Sequence, residues 1–196
     1  RASVVELRKD GGARARVDIV GKLNKTDATL DVSAKDVTNP DQLLFSLTAA
    51  LPITLDGEKK GLDASRGLDV RFDLPRRPVA TLVAFVPPLL LGGRAIPRAE
   101  IEMAASLKGA VARPTASVRV EASGAFLSPD APKSPKQRLR LDVALDPVDK
   151  SAASKASGTL SLALDETEPP VVSGRFGASF PYSPLVAGAT AGAAFD

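Results

Sequence analysis

Two pairs of carboxylates stand at strand spacing in this chain: Asp69 with Asp73, and Glu100 with Glu102. Side chains two or four residues apart on a strand share a face, so either pair could act as general acid and base. Such work needs a pocket that drives the two pKa values apart. Here the carboxylates are interleaved with Arg71 and lie near Arg98, which is the pattern of a solvated face of mixed charge. The 196 residues contain no His and no Cys. That removes the usual general base, the commonest metal ligand, thiol nucleophiles and disulfides. The stretch GKLNKT, Gly21 to Thr26, has the flavour of a phosphate loop but lacks the spacing of one and follows an alternating segment. Asp56 and Asp63 flank a Gly-bearing loop and could touch Ca²⁺, although a plain turn accounts for them. The residue types therefore point away from an enzyme, and no metal or cofactor is expected.

Charge gives little more. Twenty-six basic residues face 23 acidic ones, for a net charge of +3. Basic clusters occur at Arg8, Lys9, Arg14 and Arg16, at Arg76 and Arg77, and at Lys133, Lys136, Arg138 and Arg140. Nucleic-acid binding asks for a concentrated patch with stacking aromatics. Acids are interspersed here and aromatics make up 4% of the chain, so nucleic acid is not expected as a partner. Anionic lipid head groups suit the clusters better, and a solvated exterior suits them best.

The elements that would position these residues read as strands. Apolar side chains recur with period two, separated by charged or polar ones. The apolar parity runs through Val5 and Leu7, then Val17 and Ile19, then Leu30 and Val32, then Phe45, Leu47 and Ile53. It continues through Leu68, Val70 and Phe72, then Ile101, Met103 and Leu107, then Val118 and Val120. Leu139, Leu141 and Val143 follow, then Leu160 and Leu162, then Phe176 and Phe180. This predicts antiparallel strands with one apolar and one solvated face. The run around Ile53 is expected to break or bend at Pro52, because proline donates no ladder hydrogen bond. KDGGA, Lys9 to Ala13, is a hairpin signal. SPDAPKSPK, Ser128 to Lys136, is a polar loop long enough to be mobile. Pro-bearing strand ends recur in DLPRRP, ALDP, DETEPP and SFPYSP, which gives a loose repeat of strand units without a fixed period.

One segment departs from period two. Val79, Leu82, Phe85 and Val86 fall at helical spacing after Pro78, and Pro87 with Pro88 stops any helix. Its apolar run of about 13 residues is shorter than the roughly 18 a membrane span needs. The spacing predicts a short apolar helix near 79–86. It either covers a core or acts as a plug lying in a groove, through Leu82, Phe85 and Val86.

The stretch VATLVAFVPPLLLGGRAIPRAEIEMAASLKGAVARPTASVRVEASGAF, Val79 to Phe126, joins such a helix to Gly-Gly, an alternating strand, SLKGAVARP and a second alternating strand. It resembles a recurring unit of the TamB-type translocation and assembly module proteins, related to the AsmA-like bridge lipid transporters. SLKGAVARP stands for that family's Gly-x-Leu-x-x-Pro element, with Ala110 and Val111 where Thr-Leu is usual. The match covers about a quarter of the chain, and the alternating texture covers nearly all of it. The resemblance implies a long antiparallel sheet folded into an open apolar groove, a β-taco. It implies a place in the periplasm, anchored in the inner membrane and spanning toward the outer membrane, with phospholipid as cargo. An outer-membrane barrel of the Omp85 family is the implied protein partner. The anchor is expected outside this stretch, because the chain begins at Arg1 without methionine and reads as a piece of a longer protein.

The physics of the strands leads the same way. A one-faced sheet must shelter its apolar side. Sandwich cores usually draw on large aromatics, whereas Ala, Val and Leu dominate here and make a smooth lining. About ten strands at ~4.8 Å spacing give a sheet ~48 Å across. At about 0.8 kcal/mol per CH₂, an acyl chain in water costs on the order of 10 kcal/mol. A continuous lining removes most of that cost without a tight single site. Two other classes fit the alternation: a β-sandwich or adhesin-like structural module, and a chaperone that captures outer-membrane barrel strands along a sheet edge.

Overall fold

The computed structural model describes residues 3–8, 14–37, 39, 41–55, 61–83, 98–125, 136–147, 154–165, 168–180 and 194–195, with backbone alone at 3–8, 14, 180 and 194–195. In chain order the elements are β1 (Ser3–Arg8), β2 (Arg14–Leu23), β3 (Asp27–Asp36), β4 (Leu43–Thr54), β5 (Gly61–Leu62), β6 (Gly67–Pro78), α1 (Val79–Val83), β7 (Arg98–Ala110), β8 (Arg113–Ala125), β9 (Gln137–Pro147), β10 (Ser154–Ala163), β11 (Val172–Phe180) and β12 (Ala194–Phe195). The strands form one antiparallel sheet in which each pairs with its neighbour in sequence. The exception is β5, which pairs with β4 alone, so β4 lies directly beside β6. Apart from the two-residue β5 and β12, ten strands carry the sheet. Among the described residues, substantial packing occurs only between sheet neighbours and between α1 and β6 or β7. The sheet is open and single-layered. The all-β expectation holds, and among the described residues no second sheet presses on the first as a sandwich would require.

Register makes the alternation coherent. Directly paired residues in an antiparallel ladder share a face. Ile19 pairs with Val32, Val32 with Leu47, and Leu47 with Phe72. Phe72 pairs with Ala105, Ala105 with Val118, Val118 with Val143, Val143 with Gly158, and Gly158 with Phe176. One row of small and apolar residues thus crosses nine strands. A second runs from Leu30 through Ala49, Val70, Leu107, Ala116, Leu145 and Ala156 to Ala178.

Two irregularities depart from simple alternation. Ala34 pairs with Phe45 but Lys35 pairs with Leu43, so Leu44 is a bulged residue. Leu44 is buried with Ala15 and Ala34, flanked by Val17 and Phe45. β4 runs on through Pro52, which still pairs with Asp27 on the β3 side, but on its other side the ladder to β6 ends at Ala50 and β5 takes over from Ile53. The second irregularity lies between Leu74 and Arg77, after which Arg77 pairs with Ile101. Arg77 thereby joins the Ile101 position of the apolar face, and its Nε donates to the Leu43 carbonyl at 3.0 Å.

One rim is stitched by loops. Asn24 Oδ1 accepts from the Thr26 and Asp27 amides at 2.9 and 2.6 Å, so GKLNKT closes as a hairpin turn. Arg66 donates to the Thr26 carbonyl at 2.7 Å and to Asp27 at 2.5 Å, while its own carbonyl accepts from the Val111 amide at 3.0 Å. The turns after β2, β5 and β7 are thereby tied together. Of the predicted helix, the described residues show Val79–Val83, none of them buried. Leu82 is half-buried on it, whereas Phe85 and Val86 lie outside the described residues, as do KDGGA and all of SPDAPKSPK but Lys136.

Candidate functional site: an open apolar face and a charged face behind it

The groove residues read from sequence fall on one face wherever register tests them. Val17, Ile19, Leu30, Val32 and Leu47 join Val70 and Phe72 through the β2, β3, β4 and β6 pairings, and Phe45 joins them opposite Ala34. Leu68, Met103 and Leu107 continue through β6 and β7, opposite Gly109, Leu74 and Val70. Val118, Val120, Leu139, Leu141, Val143, Leu160, Leu162 and Phe176 complete the face. Ile101 pairs with Ala122 on it, and Ile53 sits at the end where β5 pairs with β4. Phe180 is placed by register opposite Ser154, and its side chain lies outside the described residues.

This face is partly open to water. Most of its large side chains are half-buried, and Leu30, Leu160 and Phe176 are 37%, 40% and 47% exposed. Among those named, only Leu68 is buried. Phe45 and Phe72 stack with centroids 6.1 Å apart. The Phe176 ring lies over Gly158, where a Cβ would fall within 2.7 Å of Phe176 Cε1. The glycine gives the aromatic ring a seat on the sheet. A contiguous apolar surface of this extent needs a partner, because monomeric proteins seldom leave one bare.

The opposite face is charged. Arg119 lies directly across from Asp142 and bonds it at 2.7 Å, and Arg140 reaches the same carboxylate at 2.7 Å. Glu102 and Glu121 are directly opposed, and Arg76 bridges them at 3.2 and 3.3 Å. That cation offsets a like-charge pair that would otherwise weaken the ladder. Asp69 bonds Arg71 at 2.8 Å. The carboxylate pairs thus sit on the exposed charged face, with Asp69 and Glu102 bound to arginine. Asp63 caps its own turn through Ser65 at 2.7 Å. No group of three or more metal-ligating side chains occurs among the described residues.

A hollow of about 890 Å³ spans β6 to β11. It touches Phe72, Ala105, Val118, Val143, Gly158 and Phe176, together with their chain neighbours, such as Ser106, Ser117, Arg119, Asp142, Ala144 and Ser157. A hollow on the apolar face would also touch the flanking rows there, Met103, Leu107, Val120 and Leu141. None of these lines it. The flanking rows it does touch point the other way, so it opens on the charged face, above small side chains that leave the backbone accessible.

The charged face sets the response to acid. Hydrogen bonds from Arg140 and then Arg119 hold the Asp142 carboxyl below its usual range. Arg71 does the same for Asp69, and Thr26, then Arg66, for Asp27. A carboxyl depressed in the folded state stabilises it above the unfolded value, near 4, and loses that contribution as pH falls through the folded value. With no His to titrate, the urea midpoint is expected to stay flat from about pH 7 to 5 and to fall below about pH 4. A midpoint that already drops between pH 7 and 5 would contradict this arrangement.

The chain matches no family model, no curated protein and no solved structure. Among the described residues, no helix is long and apolar enough to cross a membrane.

Proposed function

We propose that this chain is a periplasmic segment of a bridge-like phospholipid carrier, in which the apolar face shields acyl chains between inner and outer membranes. One observation carries the reading: register delivers apolar rows across nine strands of a sheet that no second layer covers among the described residues. Shielding needs no catalytic group, which suits a chain without His or Cys. A lining of Ala, Val and Leu interrupted by few deep features lets a chain slide instead of lodging. The resemblance of Val79 to Phe126 to the TamB-type unit supports the same reading and adds a role beside an Omp85-family barrel in outer-membrane assembly.

The test is mass spectrometry of lipid extracted from protein purified without detergent. Phospholipid is expected at a fixed ratio to protein, and protein that comes back empty would oppose the proposal.

A second reading has its own observation. The outer edge of β11 is paired only at Ala178 and Ser179 among the described residues, and Val172 to Gly177 are exposed. An edge of that kind can take up an extended client strand by main-chain pairing. Photo-crosslinkers at Ser173 and Arg175 would then label peptide, whereas the carrier reading expects lipid label at Val70, Met103 and Leu141.

A further inference from the structure

Beside α1, at the ends of β7 and β8, lies a second hollow of about 430 Å³, lined by residues that include Arg76, Arg98, Glu100, Ser123, Gly124 and Lys136. Arg98 opens β7 and Ser123 comes near the end of β8, so the hollow sits at the sheet rim. Glu100 pairs directly with Ser123, which places both on the charged face.

The chemistry of this rim differs from the rest of the charged face. Arg76 is already committed to Glu102 and Glu121. Arg98, Lys136 and Glu100 are exposed and make no ion pair among the described residues. Ser123 is only 9% exposed, and its hydroxyl has no protein partner among the described residues. A buried hydroxyl without a partner is costly, and a ligand oxygen would satisfy it. Two free cations and one buried donor suit a phosphate, since charge-assisted bonds to anionic oxygen are the strong ones. The carboxylate of Glu100 beside them, which feels the charge of Arg76 but makes no direct ion pair with it, suits an ammonium.

We propose that this rim hollow is a head-group site for a zwitterionic phosphodiester carrying a primary ammonium. Arg98, Lys136 and Ser123 hold the phosphate and Glu100 holds the ammonium. This rests on the carrier reading and places the head group at the rim. Ala99 and Gly124 adjoin the site, and Ile101 with Ala122 follows one pair further along the apolar face. The tails can therefore cross the rim while the head stays in water.

The experiment is an NMR titration of the isotope-labelled chain with three probes: O-phosphoethanolamine, inorganic phosphate, and a short-chain phosphatidylethanolamine kept below its micelle concentration. Saturable shifts at the Arg98, Ser123 and Lys136 signals are expected for the first and third probes, and binding at least threefold weaker for inorganic phosphate. Arg98→Ser and Ser123→Ala should each weaken binding about tenfold. Glu100→Gln should remove the preference for ethanolamine over choline head groups and tighten, not weaken, the binding of inorganic phosphate. Absence of saturation at these residues, or equal affinity for inorganic phosphate and O-phosphoethanolamine, would overturn the head-group site. If the rim signals stay still while the short-chain lipid moves those of Val70, Val118 and Leu141, the head-group site fails and the carrier reading stands. If neither set moves, both fail.

Discussion

Placing an arginine at Val70 or Leu141 is expected to cut acyl-chain binding and transfer at least tenfold, whereas Asp69→Ser and Arg140→Ser leave them within about twofold. Val70 pairs with Ala49 on one side and Leu107 on the other, and Leu141 pairs with Val120 and Leu160. Each stands inside a continuous apolar row, so a guanidinium there interrupts the path of a hydrocarbon. Covering that charge with an acyl chain costs several kcal/mol by the usual penalty for an unpaired ion. The side chains are only half-buried, which lets the arginine stem lie along the face with its charge in water, so the fold survives. Asp69 and Arg140 lie one residue away in sequence and on the other face, so their loss removes surface ion pairs of small worth. Transfer between labelled vesicles measures both classes. Equal loss in both would show that face has nothing to do with transport.

The largest effect on stability is expected at Gly124. Its φ is +135°, a conformation that side chains with a Cβ rarely adopt. A Cβ there would lie 2.5 Å from Ala99 Cα and closer still to the Arg98 carbonyl, both of them backbone atoms that cannot swing aside. Strain of this kind costs about 1–3 kcal/mol, and the clash adds to it. Gly124→Ala should lower stability by ~3 kcal/mol in urea unfolding, whereas Gly174→Ala, where a Cβ meets open space, should leave it unchanged or raise it by up to ~1 kcal/mol. Equal losses at the two positions would mean that β7 and β8 do not approach as closely as described.

Much of the fold was legible because a half-covered strand writes its face into every second residue. Val17 and Ile19, Val118 and Val120, and Leu139 and Leu141 could be assigned before any pairing was known. What alternation cannot carry is a residue inserted into one strand only. Leu44 looks like a charged-face position in sequence, yet the bulge turns it in to pack on Ala15 and Ala34. Arg77 looks like a charged-face residue for the same reason and comes out level with Ile101. Pro52 interrupts one ladder but not the strand: β4 runs through it beside β3, where its missing donor is not called upon, while pairing on the other side passes from β6 to β5. The two-residue β5 carries too few residues to show a period. The rim hollow was invisible from sequence because Arg98 and Ser123 come from the ends of two strands and Lys136 from the residue before a third, brought together by register alone.

The open sheet also explains why so few side chains are fully buried. The buried apolar residues are mostly small or sit at bulges and turns: Ala15, Ala34, Leu44, Leu68, Ala99, Val111 and Ala163 among those described. A single layer gains from one face only what something else lays on it. Lipid on the apolar face would supply the missing layer and raise stability by binding the folded state alone.

The central claim is that the apolar face, and not the charged one, takes hydrocarbon. It is tested most directly by photo-crosslinking with a phospholipid whose acyl chain carries the reactive group, read residue by residue across β6 to β10. The account predicts label at Val70, Phe72, Met103, Val118, Val120, Leu141, Val143 and Leu160, and none at Arg71, Ser106, Ser117, Arg119, Arg140 or Thr159. Label on both sets, or label gathered in the charged-face hollow beside Ser117 and Ala144, would contradict it.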